Sequence, residues 1–155
     1  MFRKILYPTD FSESAKIALD YVKKLKEAGA EEVVLLHVYD KRDINAHWQI
    51  ESYFHETEPV EKAKHDVVRV LLEKSYDKLK ELEKSLAENN FKTELIVIEG
   101  IPYEKIAQTA AEMKVSLIVM GSHGERGVVG KIIGLTTGRV LQITSVPVLV
   151  VKPKE

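Results

Sequence analysis

The sequence holds no cysteine. That excludes disulfide staples, thiolate nucleophiles and cysteine-ligated metals in one step. It also carries almost no net charge, since 23 basic residues stand against 24 acidic ones. Such a balance provides no global attraction to nucleic acid or to an anionic membrane, though a local basic patch stays open. No apolar run approaches the ~20 residues that span a bilayer. The opening, Met1-Phe2-Arg3-Lys4-Ile5-Leu6-Tyr7, is too briefly apolar for a secretory leader and runs straight into Pro8. The expectation is a cytoplasmic protein with no nucleic-acid and no membrane partner. Familiar catalytic signatures are missing as well. There is no Gly-x-x-x-x-Gly-Lys-Ser/Thr loop, no Gly-x-Gly-x-x-Gly after the first strand and no Gly-x-Ser-x-Gly elbow. No nucleophile–base pair can be assembled, so no catalytic set is expected.

What is present fits one domain over residues 1–155, a length for which one core suffices. Ile5-Leu6-Tyr7 reads as a buried first strand stopped by Pro8. Ala15, Ala18, Leu19, Val22 and Leu25 then recur at helical spacing, with Asp10 or Ser12 as cap and Gly29 placed to end the helix. Val33 to Val38 is apolar on both faces, as a central parallel strand must be. Residues 39–59 are irregular, and a connection that long is either mobile or functional. From about Val60 to Asn89 the pattern is helical, with Val67, Leu71, Ser75, Leu79, Leu82 and Leu86 as one stripe. Leu95 to Ile98 reads as a third strand. A helix opened by Pro102 follows, then a fourth strand at Leu117 to Met120. A last helix through roughly Thr144 leads to a fifth strand, Pro147 to Val151. Alternating strands and helices imply a doubly wound, Rossmann-like, five-stranded parallel sheet with helices on both faces. Ligands of such sheets bind beyond the carboxyl ends of the strands, where the strand order reverses.

One segment at such an end stands out. Two residues separate Gly121 from Gly124, nine separate Gly124 from Gly134, and Gly127 and Gly130 lie among those nine. Glycines let backbone N–H groups approach and converge on an anion. The following helix adds its dipole, and Arg126 and Lys131 add positive charge. The segment is either a phosphate cradle or a plain glycine-rich turn from strand to helix.

The spacing of Gly121, Gly124 and Gly134 resembles the signature of the universal stress protein family, in which serine or threonine follows the last glycine. Ile5-Leu6-Tyr7-Pro8-Thr9-Asp10-Phe11-Ser12 resembles that family's opening, and Val146 to Val151 its last strand. The resemblance implies a nucleotide-dependent switch in stress response that binds ATP with Mg or Mn. It also implies a homodimer formed through the last strand at Val148, Val150 and Val151. By the same resemblance Asp10, with Pro8 and Thr9, lines the nucleoside pocket and Val38 lies beside adenine. Gly121, Gly124 and Gly134 approach ribose and phosphates, with Met120, His123, Leu135 and Thr136 in the same segments. The family also has a branch without ATP, which leaves a protein-interaction module as the alternative; the client protein is unknown in either case.

One position departs from the pattern. Leu135 stands where the family has serine or threonine, and leucine donates no hydrogen bond. Losing one bond to a charged group costs about 1.5–3 kcal/mol, roughly ten- to a hundredfold in affinity. Thr136 and Thr137 follow, but one residue along a helix turns a side chain by roughly 100°. Asp10 is read as a ligand contact, a helix cap or both. His123 is read as a phosphate contact or an exposed loop residue, and His37 as a satisfied core residue. His47 and His55 have no ligand partners at metal spacing, so with Trp48, Tyr53 and Phe54 they are assigned to packing against the long helix or a partner subunit.

Overall fold

The computed structural model describes residues 1–40, 42, 60–123 and 133–154. Five strands and four helices alternate among them: β1 (Lys4–Pro8), α1 (Glu13–Lys24), β2 (Glu32–Tyr39), α2 (Val60–Ala87), β3 (Lys92–Glu99), α3 (Pro102–Glu112), β4 (Leu117–Gly121), α4 (Leu135–Ile143) and β5 (Val148–Val151). The strands form one parallel sheet in the order β3-β2-β1-β4-β5. This is the doubly wound α/β architecture expected from the alternation.

Side-chain parity divides the core. Successive strand residues point to opposite faces. Ile5, Tyr7, Val33, Leu35, Leu117 and Val119 therefore pack with Ala18, Leu19 and Val22 of α1 and Leu79 and Leu86 of α2. Leu6, Val34, Leu36, Ile118 and Met120 pack on the other face with Ile106 and Ala110 of α3 and Val140 of α4. Both faces of β1, β2 and β4 are covered, which is why their sequences are continuously apolar.

Three expectations shift. β3 begins at Lys92 rather than Leu95. It is an edge strand, so Lys92 and Glu94 remain exposed and the apolar run marks only its inner part. α1 ends at Lys24, not at Gly29. The chain tightens into successive i→i−3 bonds from Leu25 to Gly29, and Gly29 then takes φ +89°. The α2 stripe is only half buried: Leu79 and Leu86 are enclosed, whereas Val67 and Leu71 stay exposed. Length explains this. Twenty-eight helical residues span about 42 Å, while an eight-residue strand spans roughly 26 Å, so the amino-terminal half of α2 overshoots the sheet.

Candidate functional site

The strand order reverses at β1. From there the chain moves out through β2 to β3 on one side and through β4 to β5 on the other. The crevice beyond the carboxyl ends of β1 and β4 is thus the switch point at which open α/β sheets bind ligands. Two turns meet there, one after Pro8 and one after Gly121.

The first turn is built from side chains bonded to their own backbone. Thr9 N–H donates to the Leu36 carbonyl, 2.8 Å, continuing the β1–β2 ladder one residue further. Thr9 Oγ1 accepts from Phe11 N–H at 3.0 Å, and Asp10 Oδ1 accepts from Ser12 N–H at 3.0 Å. Ser12 Oγ accepts from Ala15 N–H, 3.2 Å, which makes Ser12 rather than Asp10 the cap of α1. Asp10 itself is exposed. Between them Phe11 holds φ +64°, a left-handed conformation that costs an ordinary residue about 1–2 kcal/mol. Its ring lies 4.8 Å from that of His37, and Lys78 Nζ of α2 lies 5.0 Å from the Phe11 ring centroid. Beneath the turn Tyr7 is fully buried and donates to the Ala15 carbonyl at 2.7 Å. Burial pushes its hydroxyl pKa from 10.0 up to about 12.

The second turn takes its shape from missing side chains. A Cβ on Gly121 would stand 2.7 Å from the carbonyl carbon of Ser14, at the start of α1. A Cβ on Gly134 would stand 2.9 Å from His123 Cα. Neither glycine is among those with positive φ, so both answer to close approach within the fold. Ser122 N–H donates to the Val151 carbonyl at 2.9 Å, and the Ser122 carbonyl accepts from Gly134 N–H at 2.7 Å. Ser122 Oγ lies 2.9 Å from His123 Nδ1. Gly134 caps α4 without a side-chain bond.

These turns bring Pro8, Thr9 and Asp10 to the same end of the sheet as Met120, Gly121, His123, Gly134, Leu135 and Thr136. Val38 lies half-buried near the end of β2, and Met120 is buried among the side chains facing α3 and α4. Gly124, Arg126, Gly127, Gly130 and Lys131 lie outside the described residues, as do His47, Trp48, Tyr53, Phe54 and His55. Leu135 is 77% exposed at the first position of α4. Thr137 turns inward and donates to the Gly121 carbonyl, 2.9 Å, so its proton is committed to the fold.

Two residues carry no signal of their own in the sequence, Ser14 and Ser122. With Thr9, Ser12 and Thr137 they are buried hydroxyls gathered at this end of the sheet, whereas Thr109 is buried on α3. Ser14 Oγ makes no hydrogen bond among the described residues and faces Gly121. The available signal was a cluster of Ser and Thr beside both turns, whose convergence is visible only in three dimensions. Among the described residues no three His, Asp or Glu side chains gather as a metal site. No helix among them is long and apolar enough to cross a membrane.

The sequence model of the Universal stress protein family matches residues 1–152. Universal stress protein MJ0577 of Methanocaldococcus jannaschii is 40% identical over 157 aligned positions, covering 99% of this chain and 97% of its own length. Its solved structure superposes with a TM-score of 0.86, covering 100% of this chain and 99% of that one. Two more distant structures share the fold, each covering 97% of both chains. One is a universal stress protein in complex with cAMP, 18% identical with a TM-score of 0.64. The other is a universal stress protein from Archaeoglobus fulgidus in complex with dAMP, 15% identical with a TM-score of 0.60.

Proposed function

The chain belongs to the universal stress protein family, and from that premise we propose that it is a cytoplasmic, homodimeric ATP-binding protein acting as a nucleotide-dependent switch in stress response. One observation carries the reading: the Thr9–Asp10 turn, the Gly121–His123 turn and the amino terminus of α4 converge at the switch point of the sheet. That convergence offers what a nucleoside phosphate needs. Asp10 presents a carboxylate suited to ribose or base hydrogens. The first N–H groups of α4 and its dipole would serve phosphates at that end. Two proteins of the same fold hold adenine nucleotides, cAMP and dAMP, which supports this class of ligand.

A divalent cation fits as a companion of the phosphates. Mg²⁺ keeps several waters and relies on one or two carboxylates together with phosphate oxygens. Asp10 is the candidate carboxylate in the first turn. The cation would neutralise phosphate charge. The role assigned to this chain's own residues is binding and orientation.

The decisive measurement is calorimetric titration with ATP and magnesium, run beside thermal shift. Saturable heat with a raised Tm supports the reading. No heat and no shift at millimolar ATP sinks it. Leu135 favours a second reading, a protein-interaction module with no bound ATP, because an exposed leucine stands where the family places a hydroxyl. Nucleotide released from purified protein on boiling would count against that module. The proposed dimer uses β5, whose outer side carries no strand partner among the described residues. Val148 and Val150 are half-buried, with Leu141 and Ile143 exposed nearby in sequence on α4, while the side chain of Val151 belongs to the chain's own core. A monomer by light scattering at micromolar concentration would remove this part of the proposal.

A further inference from the structure

We propose that His37 is a positioning residue for the turn after β1, holding Thr9 and Phe11 in the shape that presents Asp10. The effect on ligand binding rests on the nucleotide reading above, whereas the positioning itself rests on geometry. Two consecutive residues of β2 grip the two ends of one peptide residue. The Leu36 carbonyl accepts from Thr9 N–H, and His37 Nδ1 lies 2.8 Å from the Thr9 carbonyl. A carbonyl only accepts, so Nδ1 carries the proton. Thr9 sits one residue beyond the last paired position, Pro8 with Leu36. There a side chain supplies the bond that holds the departing strand.

The same imidazole meets the strained residue. Phe11 is left-handed although it is not glycine, and such a conformation persists where its surroundings over-determine it. Three contacts do so here. Its N–H is tied to Thr9 Oγ1, its ring leans on the His37 ring at 36°, and Lys78 of α2 lies over it. Phe11 also packs against the core between the sheet and α1 and α2. A glycine would relieve the backbone and lose all of the ring contacts. His37 thus joins a donor at Nδ1 to a flat face, and both are used on the turn that carries Asp10.

The test is a set of three substitutions in the full chain: His37→Ala, His37→Asn and His37→Phe. Asparagine places an N–H where Nδ1–H stood and has no ring; phenylalanine keeps the ring and has no donor. Amide exchange at Phe11 and Ser12 is measured by NMR, and ATP–magnesium affinity by calorimetry. In His37→Ala both amides are expected to exchange about tenfold faster and ATP to bind about tenfold more weakly, the size of one lost hydrogen bond. The α1 amides of Leu19 and Val22 should stay protected. His37→Asn is expected to recover most of the protection and the affinity. Unchanged Phe11 and Ser12 amides in His37→Ala would overturn the proposal. So would failure of asparagine to recover them, or equal loosening of Leu19 and Val22. If His37→Ala does not fold, the remaining pair decides, with asparagine keeping the protection and phenylalanine losing it. If the unsubstituted protein takes up no ATP, the nucleotide reading falls while the exchange comparison still decides the role of His37.

Discussion

The turn after β1 and the turn after β4 lie side by side and are built by opposite means. Between Thr9 and Ser12 each polar side chain accepts a backbone N–H, and a strained Phe11 is held in place by rings and a cation. Around Gly121 and Gly134 the shape comes from absent side chains and from backbone bonds through Ser122. The first turn is specified by what its residues reach for, the second by what would collide. The consequence for binding is direct. The first turn holds its carboxylate in a defined place, whereas among the described residues of the second the first position of α4 is the exposed Leu135, a side chain with no hydrogen bond to donate.

If this contrast is right, the largest effect should come from the steric turn. Gly121→Ala drives a Cβ into the backbone of Ser14 and should cost about 3 kcal/mol, the upper range for overpacking. Thermal unfolding would then fall by roughly 6–12 °C for a domain of this size; an unchanged Tm would show that α1 yields easily. Next comes the hydroxyl beneath the first turn. Tyr7 titrates at 10.0 when unfolded and about 12 when folded. Below pH 10 both states keep this proton, so Tyr7 adds no pH dependence. Above it the unfolded state loses the proton first, so stability falls as pH rises towards 12, by roughly 2–3 kcal/mol. Urea unfolding from pH 9 to 12 should show that slope, and Tyr7→Phe should flatten it.

Leu135→Ser sharpens the contrast from the other side. It restores the family's hydroxyl at an exposed position, so it should leave Tm nearly unchanged and tighten ATP binding about tenfold, or ~1.4 kcal/mol. Equal affinity in the two proteins would show that the rim of α4 is not where the terminal phosphate lies. Smallest is Ser12→Ala, which removes the cap of α1 and should cost about 1 kcal/mol. Faster amide exchange at Ala15, with β4 unaffected, would locate that loss in the first turn.

Much of the fold is legible in the sequence because its signals are local. Ile5 to Tyr7, Val33 to Val38 and Leu117 to Met120 are apolar on both faces because both faces are covered, and helical spacing from Ala15 to Val22 marks one buried stripe. The resemblance of Pro8-Thr9-Asp10 and of the glycine spacing points to one end of the sheet for the same reason, since each motif lies within a few residues of a strand's end. Polar residues at the start of β3 hide the beginning of a strand that has one neighbour, β2, among the described residues. The exposed half of α2 hides as well, because a sequence stripe carries no information on how far the sheet extends.

By itself, then, the sequence determined the order and type of the elements, the doubly wound sheet and the membership in a family. Tertiary structure alone decided why particular residues stand at the site. Gly121 is glycine because Ser14, more than a hundred positions away, packs against it. Thr137 is turned into the fold because its hydroxyl donates to the Gly121 carbonyl. Phe11 tolerates a left-handed backbone because His37 and Lys78 reach it from β2 and α2. Periodicity and propensity act over a few residues, whereas steric clearance and hydrogen-bond partners are set by whatever the fold brings alongside.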